Sequence, residues 1–147
     1  MVIREASIDD IDQIQSLSKH WNDDETEAGY DVLAKYIDNE IVICAEEDGE
    51  IFGITMLEEN IDGSMHIARL FVHPDYRDEG IGSEMMDMVA GYLDDNCTTA
   101  FASVASRNPA ISLYKRYNFK ETDAYKPPFE HQIAFERIPS NEDDLAL

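Results

Sequence analysis

One segment constrains the fold most: a long apolar strand runs through a short loop into a helix. The run Met65–Val72 predicts the strand, and Pro74 stops it because proline has no amide hydrogen for a ladder. Apolar residues then recur at helical spacing and predict a helix over Gly80–Asp95; they are Ile81, Met85, Met88, Val89 and Leu93. A unit of this kind requires a sheet that the helix can cover.

The remaining elements complete a mixed α/β order of β-α-α-β-β-β-α-β-α-β-β. Short runs bounded by turn residues predict the other strands: Val2–Glu5, Ile41–Ala45, Ile51–Leu57, Thr98–Ala105, Phe119–Thr122 and Gln132–Arg137. Asp48-Gly49 predicts a tight hairpin. The order predicts one domain over residues 1–138, with helices covering a central sheet, and an acidic tail over 139–147 that frays.

Capping signals mark the other helices. Ser7–Asp10 fits a capping box and opens the first helix, and a second helix is predicted over Asp31–Asp38. Asn108 and Pro109 open a later helix, and Asn118, which tolerates a left-handed backbone, ends it. The residues expected to face inward are Ile8, Ile11, Ile14 and Leu17 in the first helix and Val32, Leu33 and Tyr36 in the second.

The charge balance argues against several classes of partner. Thirty-two acidic residues outnumber eleven basic ones, for a formal net charge of −21. This charge repels nucleic acid and anionic membranes, so neither is expected as a partner. Between residues 101 and 137 the local balance is slightly positive, which makes that stretch a natural place for an anionic ligand. The acidity fits either a solvated surface or adaptation to high salt.

The chain termini and cysteines predict a cytoplasmic protein. No stretch approaches the ~20 apolar residues of a spanning helix. The N-terminus has no basic region followed by an apolar run. Cys44 and Cys97 do not form a Cys-x-x-Cys pair, so reduced thiols are expected.

The loop ahead of the long helix has the composition of an anion site. It contains Arg77, Gly80 and Gly82, followed by Ser83. Glycine lets the backbone approach a ligand, and the amides and partial positive charge of a helix N-terminus favour phosphate. The pattern is neither a Walker loop nor a dinucleotide fingerprint, since no Gly-Lys-Ser/Thr follows and the third glycine is missing. An ordinary helix start is the alternative interpretation.

Two segments resemble signatures of the GNAT acetyltransferase superfamily. Val72-His73-Pro74-Asp75-Tyr76-Arg77-Asp78-Glu79-Gly80-Ile81-Gly82 resembles its Val-x-Pro-x-x-Arg-x-x-Gly-x-Gly signature. Asn108-Pro109-Ala110-Ile111-Ser112-Leu113-Tyr114-Lys115-Arg116-Tyr117-Asn118-Phe119 is similar to its Asn-x-x-Ala-x-x-Leu-Tyr-x-x-x-Gly-Phe segment. Asn118 departs from the usual glycine, and Asn108 lies one residue closer to Tyr114 than the family's asparagine. The resemblance implies a mixed, mostly antiparallel sheet flanked by helices and splayed between the fourth and fifth strands.

The resemblance also implies acetyl-CoA as co-substrate, no metal, and transfer to a primary amine in a ternary complex. Attack is expected to be direct, because no cysteine lies in the motif segments. Tyr114 corresponds to the family's tyrosine that protonates or holds the leaving thiolate, while Asn108 either contacts the cofactor or only caps its helix. The cofactor-binding residues implied are Leu70, Phe71, Val72, Arg77, Asp78, Glu79, Gly80, Ile81, Gly82, Ser83, Asn108 and Tyr114.

The general base stays open between several residues. A lysine-type amine of pKa ~10.4 costs about 4–5 kcal/mol to deprotonate at pH 7, and an α-amine near ~8 costs about 1 kcal/mol. His66 is the nearest match to the glutamate used by the histone-acetylating branch, and a neutral histidine is a competent base. Glu58 or Glu59 acting through water are the alternatives, and His66 is then only a strand residue.

Two loops are expected to face the acceptor. They hold Trp21, Asp23, Asp24, Glu25 and Glu27 after the first helix, and Tyr125, Pro127, Pro128, Phe129 and His131 between the last two strands. Acidic and aromatic walls suit a cationic amine, either a protein amine (N-terminal or lysine) or a small molecule. A CoA-binding regulatory module without turnover is the alternative function, and a homodimer is left open.

Overall fold

A computed structural model describes residues 1–21, 26–127 and 131–140. The strands in these ranges are β1 (Val2–Glu5), β2 (Ile41–Glu47), β3 (Glu50–Glu59), β4 (Met65–Val72), β5 (Ala100–Ala105), β6 (Lys120–Glu121) and β7 (Gln132–Arg137). The helices are α1 (Ile11–Ser18), α2 (Tyr30–Asn39), α3 (Ile81–Asp95) and α4 (Ala110–Arg116), with short 3₁₀ turns at Ile8–Asp10 and Pro74–Tyr76. The predicted order of strands and helices is therefore confirmed.

The strands form a seven-stranded sheet in the order β1-β2-β3-β4-β5-β7-β6. The pairs β1–β2, β2–β3, β5–β7 and β6–β7 are antiparallel. β4 and β5 are parallel, and their ladder comprises Met65↔Ala100 and His66↔Phe101. The predicted mixed, mostly antiparallel sheet is confirmed, and the splay between the fourth and fifth strands stays a prediction.

The chain divides into two compact units. Unit 1 is Met1–Glu58 with Ala68–Met85, and unit 2 is Glu59–Ile67 with Met86–Leu147. The main core of unit 1 lies where α1 and α2 cover β2 and β3; its buried residues are Ile11, Ile14, Leu17, Leu33, Val42, Cys44, Ile51, Ile54 and Met56. The single acetyltransferase domain over 1–138 stays a prediction, and most of the predicted tail, residues 141–147, lies outside the described residues.

A second cluster in unit 1 fixes the start of α3. Ala45 and Phe52 pack there against Ile81 and Met85. Gly53 makes this approach feasible, because a Cβ at that position would lie 3.1 Å from Met85 Cε and 3.2 Å from Ile81 Cγ2. The loop before α3 is therefore held against the sheet by packing at the first turn of the helix.

The end of α4 in unit 2 confirms the predicted stop at Asn118. Asn118 has a φ of 69°. Its amide donates to the carbonyl of Lys115 (3.2 Å), and the amide of Phe119 donates to the carbonyl of Tyr114 (3.1 Å). This is the Schellman arrangement, in which a left-handed residue lets two carbonyls at the helix end find donors.

Three residues predicted to face inward are exposed instead. The exposed fractions are 51% for Ile8, 55% for Val32 and 38% for Met88. Residues 8–10 form a 3₁₀ turn, so Ile8 leaves the helical stripe that begins at Ile11. In α3, Met86 is fully buried where the spacing favoured Met88. The prediction followed the correct period but placed the edge of each apolar stripe wrongly.

Candidate active site

The loop after β4 is fastened to β3 in unit 1. The amide of His73 donates to the carbonyl of Phe52 (2.7 Å), and the ring of Tyr76 stacks on that of Phe52, 4.0 Å between centroids. His73 Nδ1 accepts from the amide of Asp75 (3.0 Å), which caps the 3₁₀ turn. His73 thus acts on the loop's shape, and the chain leaves β4 along a fixed path.

Two left-handed residues turn this path into α3. Asp78 has a φ of 67° and Gly80 a φ of 80°. A Cβ on Gly80 would meet nothing within 4 Å, so the backbone angle, and not lack of space, favours glycine there. The first intrahelical bond runs from the amide of Glu84 to the carbonyl of Gly80 (3.0 Å). The amides of residues 81–83 precede that bond and lie at the positive end of the helix, which is the geometry of an anion site.

Arg77 folds back over the end of β4. Its Nε donates to the carbonyl of Val72 (3.1 Å), and its Cζ lies 5.5 Å from the ring centroid of Phe71. The guanidinium is exposed and stays beside the strand end. It therefore adds a full positive charge at the end of the strand predicted to bind the pantetheine arm.

The strand end has two different faces. Leu70 and Val72 are half-buried and pack against the cluster at the start of α3, whereas Phe71 packs with the main core of unit 1. The ring of Phe71 meets that of Trp21 edge-on at 5.5 Å. Unit 1 thus brings together the predicted pantetheine strand, the predicted pyrophosphate loop and one wall of the predicted acceptor region.

The remainder of that wall contains a polar group that sequence reasoning missed. Arg69 is half-buried, and its Cζ lies 4.8 Å from the ring centroid of Trp21. Tyr36 donates its hydroxyl hydrogen to Glu58 Oε1. Burial, followed by that hydrogen bond, raises the pKa of Tyr36 to about 12. Glu58, an alternative base, is therefore engaged by a neutral phenol.

The structure describes some, but not all, of the other residues predicted to face the acceptor. Glu27 is exposed and pairs with Lys19, 3.2 Å between Oε1 and Nζ. Asp23, Asp24, Glu25, Pro128 and Phe129 lie outside the described residues. In unit 2 a cavity of about 610 Å³ lies beside the β6–β7 loop and is lined in part by Tyr125, Pro127 and Gln132.

His66 is half-buried on β4 in unit 2, where it pairs with Phe101 of β5. Its ring lies 5.7 Å from that of Tyr125, which in turn stacks on Phe101 at 5.5 Å. The predicted base and a predicted acceptor residue are thus neighbours. Glu59 ends β3, in the same unit.

Tyr114 is almost completely buried, with 3% of its surface exposed. Its ring meets Phe119 edge-on at 5.1 Å and stacks toward Phe135 at 6.3 Å. Burial raises the pKa of the phenol above its usual value, so the hydroxyl stays protonated at neutral pH. Asn108 is exposed, and its Oδ1 accepts from the amide of Ala110 (2.9 Å), the capping role that the sequence offered as one alternative.

The sequence did contain one signal for the missed arginine. Arg69 is the only charged residue between Ile67 and Val72, an otherwise apolar run. A charge in the middle of a strand that packs on a core needs a partner or a function. Gly53 carried no such signal, because its importance depends on which helix crosses it.

The fold and the loop define the class of protein. The sequence model of the family described as "Acetyltransferase (GNAT) domain" matches residues 38–121. That match covers more than half of the chain, and the chain belongs to the GNAT acetyltransferase family.

Individual relatives are distant. The protein is 27% identical over 124 residues to "UPF0157 protein YqkA" of Bacillus subtilis (strain 168), a match that covers 84% of this chain. The match covers only 33% of that protein, so the chain spans about a third of the length of this curated relative.

Solved structures share the fold. The ribosomal-protein-S18-alanine N-acetyltransferase from Escherichia coli matches with a TM-score of 0.76 and 17% identity, covering 95% of this chain and 94% of that one. The PaiA N-acetyltransferase from Thermoplasma acidophilum, solved in complex with coenzyme A, matches with a TM-score of 0.75 and 17% identity, covering 93% and 98%. At such identities the likeness shows the fold alone.

Among the residues that the structure describes, no helix is long and apolar enough to cross a membrane. The same residues contain no group of three or more His, Cys, Asp or Glu side chains placed to hold a metal ion.

Proposed function

We propose that this protein transfers the acetyl group of acetyl-CoA to a primary amine by direct attack in a ternary complex. The observation that carries the proposal is the start of α3, where left-handed Gly80 precedes the amides of the first turn, together with Arg77 of the same loop. Membership of the GNAT family and the coenzyme A complex of one structural relative support it.

The first step is binding of the donor. The pyrophosphate accepts hydrogen bonds from the amides of residues 81–83, and Arg77 supplies a charge that the helix dipole alone does not. The pantetheine arm lies along Leu70–Val72 and pairs with the backbone like an added strand. Exposed Asp78 and Glu79 flank the loop in water, where their repulsion of phosphate is screened.

The second step is departure of the thiolate, which we assign to Tyr114. Full proton transfer from a tyrosine of ordinary pKa ~10 to a thiolate of pKa ~8.5 is uphill by about 2 kcal/mol. Burial raises the pKa of Tyr114 further, which favours a phenol that donates a hydrogen bond to the thiolate over one that gives up its proton. Stabilisation of the developing negative charge is then the main contribution of this residue.

The third step is deprotonation of the amine. We assign it to His66, whose neutral imidazole accepts a proton near pH 7. Glu58 is the weaker candidate, because it already accepts a hydrogen bond from Tyr36. An α-amine needs less help than a lysine, so a weak or distant base is sufficient for an N-terminal or small-molecule acceptor.

A cysteine-bound acetyl intermediate is not part of the proposal. Cys44 is fully buried, and burial raises the pKa of its thiol to about 11, which suppresses the reactive thiolate. Cys97 is exposed at the end of α3, outside both motif segments. Cys44 and Cys97 are not joined by a disulfide, which fits the cytoplasmic location that we propose.

The test is release of free thiol from acetyl-CoA in the presence of a panel of amines. The panel contains polyamines, amino acids, dipeptides and lysine-bearing peptides. We expect free thiol to be released with at least one amine of the panel. We also expect the protein to bind CoA when no amine is present. Tight CoA binding with no release for any amine would reject the enzyme and favour a CoA-binding regulatory module.

A further inference from the structure

Arg69 is a half-buried cation with no carboxylate partner among the described residues. Arg4 and Arg137 form ion pairs with carboxylates, and no such pair is found for Arg69 among the described residues. Its guanidinium lies over the ring of Trp21 at 4.8 Å. Burial is the main cause that lowers its pKa, so the charged form is held there at a cost.

The two paired arginines show what this chain does with such side chains elsewhere. Arg4 donates to both carboxylate oxygens of Asp10, at 2.8 and 2.9 Å. Arg137 donates to both carboxylate oxygens of Asp94, at 2.8 and 3.1 Å. In a protein with a net charge of −21, a partly desolvated arginine without such a partner is an exception. A structural role alone does not explain it, since an apolar residue would suit the same strand better.

The surroundings of Arg69 hold its side chain in place. The hydroxyl of Thr55 donates to the carbonyl of Arg69 (2.9 Å), which fixes the backbone. Trp21 supplies an aromatic face on one side and contacts Phe71, which extends the apolar wall. The hydroxyl of the neighbouring Tyr36 is engaged with Glu58. Among the described residues, no hydrogen bond joins the Arg69 guanidinium to any of these groups, so they do not satisfy its five donors.

We propose that Arg69 binds a carboxylate of the acceptor, so that the acceptor is an amine that also carries a carboxylate. This inference rests on the proposed function and names the substrate class of that site. A guanidinium presents a planar pair of donors that matches both oxygens of a carboxylate, and partial burial strengthens the contact. Trp21, which the sequence already assigned to the acceptor wall, positions the arginine. The carboxylate belongs either to a small acceptor or to an acidic side chain of a peptide.

The test compares matched ligands that differ only in the carboxylate. Calorimetry of the CoA-loaded protein measures binding of dipeptides against the same dipeptides with a C-terminal amide. A second arm compares amidated hexapeptides with Asp or Asn at the second position. In the wild-type protein the carboxylate member of at least one series binds about 10-fold tighter or more. The series that shows the preference identifies the source of the carboxylate.

Two variants assign that preference to the arginine. Arg69→Gln abolishes the difference in affinity between the carboxylate and amide ligands. Arg69→Lys retains part of that difference, because an ammonium keeps the charge but has no planar pair of donors. Lys35→Gln is the matched control: it removes one positive charge from an exposed position on α2 and leaves the preference unchanged. CoA affinity is measured in every variant and stays at the wild-type value.

The outcomes separate this inference from the proposed function. Carboxylate preference that is lost in Arg69→Gln, without thiol release for any ligand, supports the inference and rejects acetyl transfer. Thiol release without any carboxylate preference supports acetyl transfer and overturns the inference. A preference that persists in Arg69→Gln, or no binding by any carboxylate ligand, also overturns it.

Discussion

The amide of Phe119 donates to the carbonyl of Tyr114, and the two rings meet edge-on at 5.1 Å between their centroids. Phe119, which follows the helix stop at Asn118, therefore packs directly on the proposed catalytic tyrosine. A hydrophobic contact of this kind commonly accompanies a Schellman helix end. The position of the Tyr114 phenol thus depends on the helix end at Asn118.

Replacement of Asn118 tests that dependence. Asn118→Gly should stabilise the protein by about 0.5 kcal/mol, because glycine has no Cβ penalty at a φ of 69°. Asn118→Ala should destabilise it by about 1 kcal/mol, since alanine has neither that freedom nor the polar side chain of asparagine. Thermal denaturation followed by circular dichroism measures both. Equal melting temperatures for the two variants would contradict the assignment of Asn118 as the helix stop.

Tyr114→Phe should lower kcat by roughly 10²-fold with little change in CoA affinity, the size of effect that a positioned proton donor supplies. The ring that packs on Phe119 is retained, so the fold should survive. Tyr117→Phe is the matched control, because it removes a hydroxyl from the same helix end, where Tyr117 donates to Asp87 (2.6 Å). Equal kcat values for the two variants would remove Tyr114 from the mechanism.

His66→Ala should slow turnover and flatten the acidic limb of the kcat/KM profile, because protonation of a histidine base switches activity off below its pKa. His20→Gln, an exposed histidine after α1, is the control and should keep the wild-type profile. Glu58→Gln tests the competitor. If the acidic limb disappears in Glu58→Gln and persists in His66→Ala, the base is the glutamate.

Stability should fall in acid as Asp10 is protonated. The Arg4 guanidinium is the main cause that lowers the pKa of Asp10 to about 2. A carboxyl group whose pKa is lowered by folding stabilises the folded state at pH values above its pKa in the unfolded chain, ~4. This stabilisation is lost as the pH falls toward 2. The difference in the free energy of unfolding between wild type and Asp10→Asn, measured by urea denaturation, should therefore become smaller from pH 6 to pH 3. Asp12→Asn, at an exposed position of α1, serves as control. A difference that is constant with pH would contradict the ion pair.

Much of the fold followed from local patterns, and the examples show why. β4 and β7 were predicted with the bounds that the structure gives; β4 is a largely apolar run between Gly63 and Pro74, and Pro139 follows shortly after β7. Asp48-Gly49 forms its tight turn with positive φ at both residues. The prediction that Ile8 faces inward was wrong, because a 3₁₀ turn and an α-helical turn begin with the same capping sequence.

Less of the candidate site was accessible to sequence reasoning. The start of α3 was predicted from its glycines, because a helix N-terminus is a local feature. The bond between Tyr36 and Glu58 and the stacking of Trp21 under Arg69 join residues from separate elements. Such contacts depend on how strands and helices pack, which a single sequence does not state. The acidic composition favoured a cationic ligand, and it gave no indication that the half-buried Arg69 has no carboxylate partner among the described residues.

The first turn of α3 is expected to bind the pyrophosphate of CoA, and calorimetry of CoA and of pantetheine tests this binding most directly. Gly82→Glu places a side chain and a negative charge at that turn, so CoA affinity should fall 100-fold or more while pantetheine affinity changes little. Gly91→Glu adds the same group farther along α3, where a Cβ meets nothing within 4 Å, and should bind CoA like the wild type. Unchanged CoA affinity in Gly82→Glu, or equal losses in both variants, would contradict the account.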